Sequence, residues 1–387
     1  MGWKTLVPLM GANRANFKVL EDILEKEDAK KVKKLLKENQ ISFSQSRIGT
    51  NLVYDEIFPI LELSVMEKPV ADFVELMNKQ IDYHFKSKSF KEFVEGAKKT
   101  ILSNIAPNIT GLDIVKEAAL LQLFSEQLHI LLLGDPGIGK SDIMKSITDI
   151  APISSFGLGS GTSSAGLAVT IKGNTIMPGL LPMAHEGIAI IDELNLMKSE
   201  DRASLYNAME KGFITYDKGG NHNVFDAKIN ILAAANPIKD KFIGVKLEDL
   251  KKQIPFDSAM ITRFHLVFLI KTPGVTQFSE IARRIVEQDK KKMNEKDLNF
   301  IKEYIDFAKQ IKVDFPKDFQ KEVVEFSREL KEKEKNFVVE VSPRMILGLV
   351  RLAKASARVE LRNKVEKRDL DKAKEIIKTS LIVKKSI

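Results

Sequence analysis

The sequence contains no cysteine among its 387 residues. Disulfide bonds and zinc sites with cysteine ligands are therefore excluded. The five histidines are scattered and do not have the spacing of a metal site. No apolar run approaches the ~20 residues that a helix needs to cross a bilayer, and the first residues lack the long apolar segment of a secretory signal. We therefore expect an intracellular, cytoplasmic protein with no membrane partner.

The charge balance is moderately basic. Lysine and arginine total 61 against 53 aspartates and glutamates, for a net charge of +8. This excess is compatible with a polyanionic partner. Charge runs such as 30–34 and 289–292 are more often solvated helix faces than binding sites. With 44% hydrophobic residues, the chain can bury one large core or two.

A glycine-rich segment, GDPGIGKS, follows the short apolar run Ile130–Leu133 and precedes a stretch with helical apolar spacing. Its glycines let backbone N–H groups point at phosphate oxygens, its lysine can reach the β- and γ-phosphates, and its serine hydroxyl can hold Mg²⁺. A glycine-rich turn without a ligand is the simpler alternative, but the strand before it and the helix after it favour a phosphate-binding loop. The predicted nucleotide-binding residues are Gly134, Asp135, Pro136, Gly137, Ile138, Gly139, Lys140 and Ser141.

A second apolar run, Gly187–Ile191, ends in two carboxylates, Asp192 and Glu193. Parallel strands present such residues at the carboxyl edge of a sheet. We predict that Asp192 joins Ser141 around Mg²⁺ and that Glu193 polarises the attacking water. An acidic turn after a strand is common by itself, and the phosphate loop upstream favours the catalytic interpretation.

Two further strands place polar residues near this edge. The run Ile229–Ala233 leads to Asn236, whose amide is positioned to hydrogen-bond the γ-phosphate or the water. Arg263 stands just before the run Leu266–Ile270, and an arginine finger supplies the cation that transition-state charge requires. These four strands alternate with helices, which predicts an α/β fold with a largely parallel sheet.

In this order, the motifs resemble those of an AAA+ ATPase, specifically the minichromosome maintenance (MCM) family of replicative helicases. The resemblance extends upstream to Ser103–Gly111 and the helix Val115–Phe124, and downstream to Ser342–Arg344 and Leu349–Arg358, which is similar to the family's lid helix. It covers roughly residues 95–385. The resemblance implies an ATP-driven DNA helicase or translocase, with ATP and Mg²⁺ as cofactors, acting as a homo-hexameric ring at the nucleoid.

The resemblance also gives a role to an arginine in the lid. Ser342 and Pro343 predict a helix start from which Arg344 projects. From the residues alone, an exposed helix arginine is the simplest interpretation. In the MCM family the corresponding sensor 2 arginine reaches the nucleotide of a neighbouring subunit. By this resemblance, Arg344 and Arg263 both complete a catalytic site in another copy of the chain.

Two insertions are similar to the family's helix-2 insertion and pre-sensor-1 hairpin. Ile171 and Thr175 flank a turn that begins at Lys172, and Phe213–Lys218 forms one arm of a second predicted hairpin. Lys218 stands where the family contacts DNA phosphates in its central channel. Lys218 and Lys172 are therefore candidates to bind single-stranded DNA. A lysine at a hairpin tip is also a common surface residue, and the sequence alone leaves both possibilities open.

The chain departs from the family pattern in several places. Leu194 and Asn195 replace an aromatic and an acidic residue, and His265 replaces an aspartate. The lack of cysteine and the short segment before the core also predict a short, divergent member without the zinc module, OB-fold and winged helix. Two other functions remain open, namely a protein-remodelling ATPase of the MoxR or chelatase type and a replication-associated regulator that does not unwind DNA.

Three parts are predicted along the chain. Residues 1–95 form a mainly helical N-terminal domain, with helical spacing at 17–36 and 70–85. Residues 96–270 form the α/β core, which carries both hairpins. Residues 271–387 form a linker and a helical lid, in which Phe319, Val323, Phe326 and Leu330 repeat on one helix face.

Overall fold

The computed structural model describes residues 89–381, except for 173–174, 219–220, 245, 273, 276–278, 280–281, 284–285 and 287–292. The chain divides into two compact units, Met1–Phe93 and Val94–Ile387. Nearly all described residues belong to the second. The predicted helices at 17–36 and 70–85 and the charge runs at 30–34 and 289–292 lie outside the described residues. The division of the chain into three parts therefore stays a prediction.

Five parallel strands form the central sheet of the second unit. They are β1 (His129–Gly134), β2 (Ser154–Leu158), β5 (Ile188–Asp192), β8 (Asn230–Ala235) and β9 (Leu266–Ile270), in the spatial order β2-β5-β8-β1-β9. Every pairing between neighbours is parallel. All their carboxyl ends therefore meet at one edge, as the sequence predicts.

Burial explains why these segments are strands. All residues of β1, β8 and β9 are buried, which is the pattern of a parallel sheet covered on both faces. The four strands expected from apolar runs are confirmed, with β8 beginning one residue later than predicted, at Asn230. No apolar run marks β2, an edge strand that pairs only with β5 and is half exposed, and it was not predicted.

Helices of the core connect and cover these strands. Residues 89–103 are helical and form α1. The other core helices are α2 (Asp113–Leu123), α3 (Lys140–Ile150), α6 (Ala203–Lys211) and the short helices α4 (Ser164–Leu167), α5 (Leu180–Met183), α7 (Leu247–Lys251) and α8 (Ser258–Ile261). On α3, Ile143, Met144, Ile147 and Ile150 are buried, which is the face predicted from the sequence.

Both predicted hairpins are present as separate two-stranded sheets. In the first, β3 (Val169–Lys172) pairs with β4 (Thr175–Pro178); in the second, β6 (Phe213–Lys218) pairs with β7 (Asn221–Asp226). Two residues of the sequence separate the arms of each hairpin, and both pairs lie outside the described residues. Lys172 and Lys218 are the last residues of their arms.

Among the described residues, the lid contains the helices α9 (Glu295–Lys309), α10 (Gln320–Glu332), α11 (Pro343–Val359) and α12 (Lys367–Leu381). The predicted face of α10 is buried at Val323, Phe326 and Leu330, but Phe319, predicted on the same face, lies in a 3-10 turn before α10 and is only half-buried. Ser342 occupies the N-cap of α11 and Pro343 its first turn, but the Ser342 side chain makes no capping hydrogen bond, contrary to the prediction. None of the described helices combines the length and apolar composition that crossing a bilayer requires.

Candidate functional site

The phosphate loop lies between β1 and α3, and its backbone requires glycine. Gly137 and Gly139 adopt positive φ angles of 74° and 89°, a region that side chains disfavour. A Cβ atom on Gly139 would lie 2.6 Å from the Ile109 side chain, and one on Gly134 would lie 2.3 Å from the Ile270 carbonyl oxygen. The loop ends where α3 begins, so the N–H groups of the first helical turn are free to receive an anion.

Lys140 is the buried cation of this loop. Its side chain folds back so that Nζ donates to the carbonyl oxygens of Gly134 and Asp135, each over 2.6 Å, and to Asn236 Oδ1 over 3.0 Å. Burial lowers the pKa of Lys140 from 10.5 to about 8, and the nearby carboxylates of Asp192 and Asp135 oppose this shift. An anionic ligand would offset the cost of burying this charge. The glycine cradle and the buried lysine together fit a nucleotide phosphate.

Ser141 and Asp192 meet across the sheet edge. Ser141 Oγ donates to Asp192 Oδ2 over 2.7 Å, joining the first turn of α3 to the end of β5. Hydroxyl and carboxylate oxygens of this kind are ligands that Mg²⁺ accepts while it keeps several waters and phosphate oxygens. The two residues predicted to hold Mg²⁺ are thus neighbours.

Glu193 has a strained backbone. Its φ angle is 54°, which costs a residue other than glycine about 1–3 kcal/mol. Its N–H donates to Asp192 Oδ1 over 2.9 Å, and its carboxylate accepts a weak hydrogen bond from Ser160 Oγ over 3.4 Å. A Cβ atom on Gly159 would lie 2.2 Å from the Glu193 carbonyl oxygen. Gly159 and Ser160 therefore support the predicted catalytic carboxylate, a role the sequence did not reveal.

Asn236 follows the carboxyl end of β8, as predicted, and Asn195 binds its backbone. The Asn236 N–H donates to Asn195 Oδ1 over 3.0 Å, while its own amide oxygen accepts from Lys140. Asn195 is one of the departures from the family pattern to which the sequence assigned no chemistry. Asn195 anchors the Asn236 backbone, while Lys140 holds the Asn236 side chain beside the phosphate loop.

The Asp135 side chain has a structural role within the loop. Its carboxylate is buried and accepts from the Phe242 N–H over 2.8 Å, and from the Thr272 N–H and Oγ1 over 2.8 and 2.7 Å. Both oxygens are thus occupied by the protein, and the side chain ties the loop to the segments that follow β8 and β9. Of the remaining loop residues, Ile138 is buried and Pro136 is exposed.

The two predicted arginines converge on one carboxylate. Arg263 Nη2 and Arg344 Nη2 lie 3.2 and 2.9 Å from the same atom, Glu210 Oε1. Arg263 also stacks on the Tyr206 ring, with 4.3 Å between the guanidinium carbon and the ring centroid. The sequence predicted both arginines but not Glu210 and Tyr206, which lie one helical turn apart on α6.

This arginine pair lies far from the phosphate loop of its own chain. Ile130 is paired with Leu266 and Gly134 with Ile270, so Arg263 precedes the start of β9 whereas the loop follows the end of β1. At ~3.3 Å per residue, the length of β9 puts them more than about 13 Å apart. An arginine side chain cannot cover this distance. Lys172 and Lys218 lie on hairpins that are separate from the central sheet.

A pair of histidines at the amino edge of the central sheet, His129 and His265, was not predicted from the sequence. The His129 N–H donates to His265 Nδ1 over 3.0 Å, and Arg351 Nη1 of α11 lies 2.8 Å from His265 Nε2. A Cβ atom on Gly348 would lie 2.9 Å from the His265 Cβ atom, so α11 packs closely there. Burial lowers the pKa of His129 to about 3 and that of His265 to about 2. Both rings are therefore neutral near pH 7.

A phosphate loop on a parallel α/β core, followed by a helical lid, defines a P-loop nucleotide-binding protein of the AAA+ class. The MCM P-loop domain matches residues 86–289, more than half of the chain, and the MCM AAA-lid domain matches residues 299–381. The chain belongs to the MCM family.

Three relatives illustrate the similarity. The minichromosome maintenance protein MCM of Saccharolobus solfataricus is 27% identical over 86% of this chain and 51% of its own length. DNA replication licensing factor mcm7 of Schizosaccharomyces pombe is 30% identical over 72% of this chain and 41% of its own length. DNA replication licensing factor MCM5 of Arabidopsis thaliana is 28% identical over 75% of this chain and 45% of its own length. The chain thus spans about half the length of the curated relatives it matches.

Proposed function

We propose that this chain is an ATP-dependent DNA translocase or helicase of the MCM type, in which ATP is hydrolysed at the interfaces between copies in a ring. The observation that carries the proposal is the hydrogen-bonded network at the carboxyl edge of the sheet. It joins Lys140 to Asn236 over 3.0 Å and Ser141 to Asp192 over 2.7 Å. These are the residue types that phosphoryl transfer requires, from three different strands.

Each residue of the network has one proposed task. The N–H groups of the loop and Lys140 would bind the β- and γ-phosphates, and Ser141 and Asp192 would hold Mg²⁺, which neutralises charge on the phosphates when bound. Glu193 would orient and polarise the attacking water. Asn236, whose backbone is anchored by Asn195, would hydrogen-bond the γ-phosphate or this water.

The position of the arginines supports hydrolysis between copies. Arg263 and Arg344 lie at the edge of the sheet away from their own phosphate loop, and Glu210 holds both. If a second copy places its phosphate loop against this face, both Arg263 and Arg344 would lie beside the phosphates bound in that loop. Repeating the same contact head to tail closes a ring, and six copies is the number that the family resemblance implies.

The proposed substrate is single-stranded DNA in a central channel. Support comes from the two hairpins, which end their first arms at Lys172 and Lys218, and from relatives named as DNA replication licensing factors. Lysines on the hairpins would contact phosphates without reading sequence.

A forked DNA duplex tests this proposal. The full chain should unwind it with ATP and Mg²⁺, and single-stranded DNA should stimulate ATP turnover. Glu193→Gln should bind ATP and DNA without unwinding and serves as the matched inactive control. If the wild-type chain hydrolyses ATP but neither binds DNA nor is stimulated by it, the DNA-motor proposal is wrong and a protein-remodelling ATPase becomes the better account.

A further inference from the structure

One carboxylate oxygen of Glu210 binds the guanidinium groups of both Arg263 and Arg344. Glu210 Oε1 lies 2.9 Å from Arg344 Nη2 and 3.2 Å from Arg263 Nη2. Arg344 Nη1 also donates to the Arg263 carbonyl oxygen over 3.4 Å. The arginines come from the turn before β9 and from the start of α11, so the Glu210–Arg344 ion pair is one of the contacts that link the core to the lid at this point.

Glu210 and Tyr206 both contact Arg263, and one donor atom of Arg263 has no hydrogen-bond partner among the described residues. Glu210 lies four residues after Tyr206 on α6, so both project from the same helix face. Tyr206 stacks on Arg263. The Arg263 Nε atom is buried and has no hydrogen-bond partner among the described residues. A buried donor without an acceptor costs free energy, and an acceptor from a second copy would offset this cost.

We propose that Glu210 is a positioning residue that holds Arg263 and Arg344 as one aligned pair for the phosphates of a neighbouring copy. This inference rests on the proposed function. Two adjacent guanidinium groups repel one another, and the shared carboxylate offsets this repulsion. Without the charge of Glu210, the side chains separate and only one at a time meets the phosphates in the right geometry. The partner of this surface is therefore the triphosphate bound in a second copy of this chain.

This role predicts which kinetic constant changes. Glu210 does not touch the nucleotide-binding loop of its own chain, so the KM for ATP should stay within about twofold in Glu210→Gln. The arginines act on charge that develops in the transition state. Their misalignment should therefore lower kcat by roughly 10- to 100-fold. A residue that only stabilised α6 would change the melting temperature and would not separate kcat from KM in this way.

Subunit mixing locates the effect on one side of the interface. In the reference mixture, full-length Lys140→Ala is combined with full-length Arg263→Ala, so a working site pairs the intact loop of the second with the intact arginines of the first. In the test mixture the Lys140→Ala subunit also carries Glu210→Gln, beside the working arginines. In the matched control mixture the Arg263→Ala subunit carries Glu210→Gln, beside the position where Arg263 has already been replaced.

The expected result is that kcat falls roughly 10-fold or more in the test mixture and equals the reference in the control mixture. Equal kcat in all three mixtures, or equal losses in the test and control mixtures, would overturn the role of Glu210 while leaving the shared site intact. A reference mixture without restored turnover would instead refute the shared site, and Glu210 would then be an internal ion-pair partner.

A second glutamate serves as a control for loss of charge. Glu329 in the lid also faces two cations, Lys333 and Lys378, 2.9 and 3.6 Å away. Glu329→Gln should leave kcat and KM within about twofold, because this cluster is exposed and pairs of this kind contribute little. A drop in kcat as large as that of Glu210→Gln would show that the effect is not specific to the arginine pair, and would overturn the proposal.

Discussion

Lys140 Nζ donates to Asn236 Oδ1 over 3.0 Å and so joins the loop after β1 to the segment after β8. The two strands are neighbours in the sheet, with Leu133 opposite Ala235. The lysine that would bind phosphate and the amide that would contact the γ-phosphate or the water are therefore held together by the fold. Such preorganisation reduces the reorganisation that the reaction requires.

The two charged groups of the nucleotide site should give different phenotypes when replaced. Lys140→Ala removes the buried cation and should abolish ATP binding or weaken it by at least about 10-fold. Glu193→Gln keeps the shape of the side chain and should bind ATP normally but hydrolyse it about 100-fold more slowly or worse. Fluorescent-nucleotide titration and phosphate release measure the two effects. Wild-type turnover in Glu193→Gln would remove Glu193 from its proposed role.

Nucleotide affinity should depend on the protonation of Lys140. Its pKa is lowered to about 8 by burial, and bound phosphates should raise it again. Binding then favours the protonated form, so affinity should fall as pH rises above about 8, by up to about 10-fold per pH unit, with proton uptake on binding. Calorimetry in two buffers of different ionisation enthalpy measures both. Equal affinity at about pH 7 and about pH 9.5 would contradict this prediction.

The parts of this site that the sequence predicted are local in the chain. The loop 134–141, the pair Asp192 and Glu193, and the strand that precedes Asn236 are each recognisable by residue type and spacing. Their supports come from distant segments: Asn195 for Asn236, and Thr272 for Asp135. Only the folded sheet brings these partners together, so spacing along one sequence could not reveal them.

The secondary structure was likewise predictable only where the signal is local in the sequence. Strands buried on both faces have continuous apolar sequences and were predicted, whereas β2 reads SSFGL and is half exposed, so it carried no comparable signal. Ser342 stands at the N-cap position without making the bond that its side chain could form, since preference for a position does not fix the rotamer.

The histidine pair should make the fold sensitive to acid. His129 and His265 have pKa values near 3 and 2 in the fold, against 6.5 for a free side chain. Because the unfolded chain binds these protons more readily, stability should fall as pH drops below about 6.5, by up to about 1.4 kcal/mol per pH unit for each histidine. Urea unfolding of wild type and His129→Gln between about pH 7 and about pH 5 measures this difference in slope. Parallel stability curves for the two proteins would rule out this contribution.

Replacing Lys218 should weaken DNA binding and leave basal ATP hydrolysis unchanged. Lys218 is the last residue of β6, in a hairpin separate from the sheet that carries the nucleotide loop. If Lys218 binds a phosphate, the affinity for single-stranded DNA should fall with salt, with a log–log slope of about −0.7 per phosphate bound. Lys218→Ala should make this slope shallower by about 0.7 for each phosphate that the variant no longer binds, and should abolish stimulation by DNA.

Fluorescence anisotropy of a labelled oligonucleotide over a salt series, with ATP turnover measured in parallel, tests this expectation. Lys321→Ala, at an exposed position on α10 of the lid, removes the same charge elsewhere and should leave the slope and the stimulation unchanged. Lys172→Ala tests the other hairpin in the same assay and should also reduce the slope. If Lys218→Ala and Lys321→Ala gave the same affinity, slope and stimulation, the Lys218 hairpin would not bind DNA, and the proposal that DNA passes this hairpin would have to be abandoned.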